Sequence, residues 1–100
     1  MVKIKTEETY HIPKGKQRYH TADDRLTNYW SQIISQNKAT VDKDIVKNSD
    51  DSLDMTVTTV WSNEEDYNNW LNFFKTYEVS RNQWNNENGI IKTATVTVLK

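Results

Sequence analysis

The sequence contains no cysteine, one proline and two glycines. The absence of cysteine excludes a disulfide framework, thiolate ligation of zinc and a cysteine nucleophile. Gly15 and Gly89 alone cannot build a phosphate-cradling glycine loop, a dinucleotide-binding fingerprint or the G-x-S-x-G element of serine hydrolases. The enzyme classes that depend on these motifs are therefore excluded.

The chain also lacks a long apolar run and a strong net charge. No stretch approaches the roughly 20 apolar residues needed to cross a bilayer, and the amino terminus has no apolar signal-peptide core. The formal net charge is -1, so no overall field attracts the chain to nucleic acid or to an acidic membrane. We expect one soluble domain over residues 1–100, located by default in the cytoplasm.

Metal ligands are scarce as well. His11 and His20 are not paired with each other, or with a carboxylate at helical spacing, and there is no cysteine. This pattern predicts no metal site. No cofactor-binding motif is present, so we expect no cofactor, and we assign no catalytic residue.

The clearest structural signal lies in residues 53–74, where a strand pattern passes directly into a helix pattern. Alternate residues predict the buried face of a strand: Leu53, Met55, Val57, Thr59 and Trp61. Ser62 and Glu65 have the spacing of a capping box at a helix start. Aromatic and apolar residues then recur at helical spacing: Tyr67, Trp70, Leu71 and Phe74.

The amino-terminal half predicts a strand, a helix and a weaker strand. Residues alternate from Val2 to Ile12, and Pro13 ends this strand. Thr21 or Asp23 can cap the next helix, and Asn37 can end it in a left-handed conformation. The helix has an apolar stripe: Leu26, Tyr29, Trp30, Ile33 and Ile34. Residues 39–45 then alternate with charge, as is typical of an edge strand.

The carboxy-terminal part predicts a last strand after a segment with two possible structures. Residues 75–88 either continue the helix or break at Val79. Gly89 is a good stop for a helix, and residues 90–99 have a strand pattern. The order β-α-β-β-α-β favours a split βαβ arrangement, with a four-stranded antiparallel sheet and both helices on one face.

This order resembles the α+β ferredoxin-like superfold. Within it, residues 60–67 (VWSNEEDY) resemble the strand-to-helix turn of dimeric α/β-barrel proteins such as the antibiotic-biosynthesis-monooxygenase-like group. In that group two sheets pair into a homodimeric barrel, and some members act on aromatic or haem substrates. The RNA-recognition variant needs an aromatic, glycine-rich strand motif that residues 55–60 (MTVTTV) lack, so nucleic acid is not a favoured partner.

Two groups of residues are candidates for partner binding. The first is a basic loop with aromatic members: Arg18, Tyr19, His20 and Arg25. It can bind a phosphate or an acidic partner, or it can be a solvated loop that neighbouring carboxylates neutralise. The second group is Trp61 and Trp84, which lie at the ends of elements, where large amphipathic rings often serve interfaces.

The leading functional hypothesis is a small, non-enzymatic protein-interaction module. The frequent asparagine, lysine and isoleucine residues have AT-rich codons, which favours a phage or mobile-element origin. The alternative is a dimeric α/β-barrel enzyme, or a binder of an aromatic small molecule between the sheet and the helices. This alternative requires a pocket approaching ~300 Å³ between them.

The open face of the predicted sheet sets the expectation for assembly. Its members are mixed and rich in threonine: Lys3, Lys5, Glu7, His11, Thr56, Thr58, Val60, Thr93, Thr95 and Thr97. Obligate interfaces are more apolar than this. We therefore expect a monomer or a weak homodimer, with the monomer favoured.

Overall fold

The protein is described by a computed structural model that covers residues 3–20 and 23–99. The elements are β1 Lys3–Ile12, α1 Asp24–Ser35, β2 Ala39–Lys47, β3 Leu53–Trp61, α2 Glu64–Glu87 and β4 Ile91–Leu99. The predicted order is thus confirmed. The strand start at Val2 and the cap at Thr21 lie outside the described residues. No helix in the described part of the chain is long and apolar enough to span a membrane.

The four strands form one antiparallel sheet in the order β2-β3-β1-β4. The predicted α+β arrangement is confirmed. In the central rows Thr6 pairs with Thr59 and Val96, and its neighbour Glu7 pairs with Thr58 and Thr95. Because side chains alternate between faces, the Glu7 row belongs to the open face, as the sequence predicts.

Both helices pack against the other face of the sheet, over two clusters of buried residues. One cluster surrounds Trp61 and includes Ile33 of α1, with Tyr67 and Trp70 of α2 packed against it. The second cluster consists of Tyr10, Ile12, Met55, Val57 and Ile90. The period-two pattern of β3 is confirmed, because alternate residues from Met55 to Trp61 are buried.

The second helix is continuous from Glu64 to Glu87, which resolves the question left open for residues 75–88. Val79 does not break it, because a single β-branched residue lowers helix propensity only slightly; its side chain is 76% exposed. Tyr77, two residues earlier, is buried. Gly89 follows the helix with a φ of 66°, the left-handed conformation that glycine adopts readily, so the predicted stop is confirmed.

The capping box predicted from Ser62 and Glu65 is wrong, because the cap lies one residue later. Asn63 is the N-cap, and its Oδ1 accepts the backbone N–H of Asp66 at 2.8 Å. Asparagine caps a helix as well as serine does. The Ser62 hydroxyl instead donates to the carbonyl of Asn37 at 2.9 Å, which ties the end of β3 to the α1–β2 turn.

The first helix has the caps that the sequence predicts within the described residues. Asp23 Oδ1 accepts the backbone N–H of Arg25 at 2.9 Å. Asn37 follows the helix with a φ of 57°, and the next N–H, that of Lys38, donates to the carbonyl of Ile33. This pairing is typical of a Schellman-type end. It fixes the direction in which β2 leaves the helix.

Candidate binding cavity between sheet and helices

A cavity of about 530 Å³ separates the sheet from the two helices. Its floor is the inward face of the sheet, and its walls come from α1, from α2 and from the loop after β1. The volume exceeds the ~300 Å³ that a small-molecule site requires. The space between the sheet and the helices is therefore not filled by the protein's own side chains.

One end of the cavity is aromatic. Trp30 meets Trp61 edge-on at 5.7 Å between ring centroids, and it lies 5.0 Å from Trp70. Tyr67 closes the group at 6.0 Å from Trp61. All four rings line the cavity. Trp61 is almost fully buried behind the others, and the partly exposed rings of Trp30, Tyr67 and Trp70 give the cavity an apolar surface that suits an apolar ligand.

The other end is charged and is organised around Glu8. The Tyr10 hydroxyl donates to Glu8 Oε2 at 2.5 Å, and Lys92 Nζ lies 3.2 Å from the same oxygen. Arg81 NH1 is 3.9 Å away, and the Arg18 guanidinium lies over the Tyr10 ring at 4.6 Å. Two cations thus approach the Glu8 carboxylate, and a third lies over the neighbouring Tyr10 ring. The side chains of Lys92, Arg81 and Glu8 are only 16%, 19% and 27% exposed.

Burial and the contacts between the charged groups both shift the pKa values at this end. Burial raises the pKa of the Glu8 carboxyl, but the hydrogen bond from Tyr10 and the nearby Lys92 and Arg81 lower it by more, so its net pKa lies below 4.5. Burial lowers the pKa of Lys92 below its ordinary value, although Glu8 opposes the shift. Burial and the Glu8 carboxylate raise the pKa of Tyr10 to about 12. The Tyr10 hydroxyl therefore stays protonated and remains a donor.

The cavity opens along β4. Val96 lines it and is 54% exposed, and Val98, also on the inward face, is 52% exposed. Neither helix therefore covers this part of the sheet. Exposed residues also line the cavity on α2, at Lys75 and Glu78, and at the opposite edge of the sheet, at Lys43 of β2. The cavity is therefore open to solvent.

Comparison with solved structures decides the fold. The chain is similar to a dimeric ferredoxin-like protein from an uncultured marine organism, with a TM-score of 0.58, 6% identity, and coverage of 99% of this chain and 96% of that one. The chain has a ferredoxin-like fold. The de novo designed protein Foldit4 is also similar, with a TM-score of 0.51, 9% identity, and coverage of 98% and 97%.

These similarities concern the fold, because the sequence identities are all below 10%. SnoaB, a cofactor-independent oxygenase from Streptomyces nogalater, has a TM-score of 0.43, 9% identity, and coverage of 98% of this chain and 91% of that one. No family model matches the sequence, and no curated protein matches it. The resemblance to the superfold is confirmed without a specific family. A shared superfold does not determine function.

Three of the six predicted partner-binding residues line the cavity of this ferredoxin-like domain: Arg18, Tyr19 and Trp61. Trp61 is 1% exposed, so its ring offers almost no surface to a partner protein. The structure does not bring all six together, because the other three lie outside the cavity lining: His20, Arg25 and Trp84. Binding of a partner at any of the six stays a prediction.

Two of the residues outside the cavity have structural contacts. Arg25 forms an ion pair with Asp23 at 2.6 Å, and this hydrogen-bonded guanidinium holds the pKa of Asp23 well below its ordinary value. The Trp84 indole N–H donates to the carbonyl of Gln17 at 2.9 Å. Trp84 thereby fastens the loop after β1 to the carboxy-terminal part of α2.

Sequence reasoning missed three members of the charged end: Glu8, Arg81 and Lys92. A signal for one of them was present, because Glu8 occupies an inward position in the alternating pattern of β1. A carboxylate on a core face requires cationic partners. Those partners could not be named, because they lie on α2 and β4, far away in sequence. Among the described residues no group of three histidine or acidic side chains is placed to hold a metal ion.

Proposed function

We propose that this protein binds a small organic anion with a flat, apolar body in the cavity between sheet and helices. The observation that carries the proposal is the charged end, where Lys92 and Arg81 approach the carboxylate of Glu8 and Arg18 adds a third positive charge over the neighbouring Tyr10 ring. An acid group bound there would offset the uncompensated positive charge. The apolar body would then lie against the aromatic rings of the opposite end.

The distance between the two ends sets the size of the ligand. Trp61 pairs with Ile4 of β1, and Glu8 lies four residues further along the same strand. At about 3.3 Å per residue, the aromatic row and the carboxylate are roughly 13 Å apart. A two-ring aromatic acid fits within this span. Burial of its rings contributes about 25 cal/mol per Å² of apolar surface.

This proposal takes up the alternative that the sequence left open, the binding of an aromatic small molecule. The protein-interaction hypothesis depended on Trp61 and Trp84, and one of these rings is buried while the other is tied to a backbone carbonyl. The cavity gives a more specific reason for the aromatic residues. The phage or mobile-element origin and the cytoplasmic location stay hypotheses from composition.

The test compares 2-naphthoate with 2-naphthamide, which have nearly the same shape and differ in charge. We expect 2-naphthoate to bind at least about tenfold more tightly, a difference of about 1.4 kcal/mol, because only the acid compensates the cationic end. Isothermal titration calorimetry measures both affinities. Equal affinity for the two compounds, or no binding of either one, would contradict the proposal.

We also propose that the chain is a monomer or a weak homodimer that pairs through the open face of the sheet. The similar ferredoxin-like protein is described as dimeric. The open face here is polar, since its central row contains Asp42, Thr58, Glu7 and Thr95. We expect sedimentation to give the mass of one chain at micromolar concentration, with any dimer appearing near millimolar. A two-chain mass that persists at nanomolar concentration would show that this face is a permanent interface.

A further inference from the structure

We infer that the ligand carries one polar substituent, a hydroxyl or a carbonyl, part-way along its apolar body, and that the hydroxyl groups of Thr6 and Thr59 hydrogen-bond to it. This inference rests on the proposed function and deepens it. The charged end selects an acid, whereas the two threonines select among acids by what the ring system carries.

The first observation is the position of the two threonines. Thr6 of β1 pairs with Thr59 of β3 in the antiparallel register, and both residues line the cavity. Side chains directly opposite each other on such strands have Cβ atoms about 4.5–5.5 Å apart. The two threonines therefore form one polar row across the floor of the cavity.

This row lies midway between the two ends of the cavity. Thr6 is two residues from Glu8 and two residues from Ile4, which pairs with Trp61 of the aromatic end. At about 3.3 Å per residue, the row is roughly 7 Å from each end. A ligand that places its acid group at the charged end therefore has the middle of its body over the threonines.

The second observation is that both hydroxyl groups lack partners. Neither forms a hydrogen bond with the other, or with any further residue that the structure describes. Thr59 is only 4% exposed, and buried polar groups in folded proteins nearly always have a partner. The Thr59 oxygen nevertheless keeps some accessible surface, and Thr6 is only partly buried. A polar atom of a ligand in the cavity can therefore reach the pair.

The third observation is that threonine is not the residue that packing alone favours here. Valine has nearly the same shape, is equally suited to a strand and has no hydroxyl to leave unpaired. The other inward positions of β3 are all apolar: Leu53, Met55, Val57 and Trp61. A departure from the local pattern of this kind is expected at a functional site.

The chemistry of the pair defines the substituent. Each hydroxyl can donate one hydrogen bond and can also accept, so the pair suits a carbonyl oxygen that accepts from both, or a hydroxyl that donates to one and accepts from the other. A site built to hydrogen-bond such a group discriminates against a ligand that lacks it, because its own polar groups are then left unpaired.

The test on the wild-type protein compares 6-hydroxy-2-naphthoate with 2-naphthoate. The two acids differ only by a hydroxyl at the end of the ring system opposite the acid group. We expect the hydroxy acid to bind about three- to tenfold more tightly, which is the usual net effect of a hydrogen bond. Isothermal titration calorimetry measures both affinities.

Isosteric variants assign this preference to the threonines. Thr59→Val should reduce the preference for the hydroxy acid, and the double variant T6V/T59V should abolish it, while 2-naphthoate binds at least as tightly as before. Thr58→Val is the matched control, because Thr58 is the next residue on β3 and pairs with Glu7 on the open face. T58V should retain the wild-type preference. T59V should also melt no lower than the wild type, since it loses no internal hydrogen bond.

The outcomes separate the two proposals. If the wild type prefers 2-naphthoate to 2-naphthamide but binds the hydroxy acid no more tightly than 2-naphthoate, the inference is overturned and the proposed function stands. A preference for the hydroxy acid that survives in T6V/T59V also overturns the inference, as does a melting temperature of T59V more than about 4 °C below the wild type, which would indicate a structural hydroxyl. If the wild type shows no preference for the acid over the amide, both proposals fail.

Discussion

Replacement of Trp61 by alanine should lower the free energy of unfolding by about 3–5 kcal/mol, the usual cost of truncating a buried tryptophan. Trp61 is 1% exposed and is the largest fully buried side chain among the described residues. It contacts rings of both helices, Trp30 on α1 and Trp70 on α2. Its loss would therefore leave a void between three elements, which the sheet cannot close by relaxing.

Urea denaturation followed by far-ultraviolet circular dichroism measures this change. Val79→Ala is the control, because Val79 is 76% exposed and a surface change of this kind stays within about ±0.5 kcal/mol. A loss below about 1 kcal/mol for W61A would mean that the aromatic cluster is not the centre of the core. The proposed position of the cavity would then also be wrong.

Replacement of Glu8 by glutamine should change stability and ligand affinity in opposite directions. Glutamine keeps the shape and removes the carboxylate that Arg81 and Lys92 approach. We expect the free energy of unfolding to fall by about 1–3 kcal/mol, as when the charged partner of a buried hydrogen bond is removed. We expect 2-naphthoate to bind about tenfold more tightly, since it no longer competes with an internal anion.

The same variant gives a pH dependence with a defined sign. The pKa of Glu8 in the folded protein lies below its ordinary value of 4.5, so its stabilising effect is complete above that value. The effect is lost as the pH falls through the folded pKa. The stability difference between wild type and E8Q should therefore be full at pH 7 and vanish in strong acid. A difference that is constant from pH 7 to strong acid would show that the Glu8 charge does not stabilise the fold.

Calorimetry with 2-naphthoate and urea denaturation at each pH provide both measurements. Glu7→Gln is the matched control, because Glu7 is the next residue on β1 and lies on the open face. It should alter neither the affinity nor the acid dependence by a comparable amount. A weaker binding of 2-naphthoate by E8Q would mean that Glu8 holds the cations in place for the ligand rather than competing with it.

The fold could be predicted from the sequence because its signals are local. Alternation in β1 and β3, the aromatic stripe of α2 and the left-handed stops at Asn37 and Gly89 each depend on neighbours within a few residues. The position of the α2 cap was misjudged by one residue. Ser62 and Asn63 are both good caps, and a distant contact with Asn37 decides which of them is used.

The cavity could be predicted only in part. The sequence shows Glu8 on an inward face but does not show which cations meet it, because Arg81 and Lys92 approach through tertiary packing. The unfilled volume depends on how far the helices stand from the sheet. Rings from the sheet and from both helices meet there, those of Trp30, Trp61 and Trp70, and no local sequence pattern reports the distance between the layers.

The placement of Lys92 beside Glu8 has a consequence for synthesis. The two residues lie on adjacent strands, β1 and β4, yet nearly all of the described chain separates them. A nascent chain that has emerged only as far as the end of α2 contains all residues of the aromatic end of the cavity. It still lacks Lys92, which belongs to the charged end. Long-range pairing of this kind forms late in folding. The charged end therefore cannot be complete until the ribosome has released β4, and a ligand that requires Lys92 cannot assist the earlier steps.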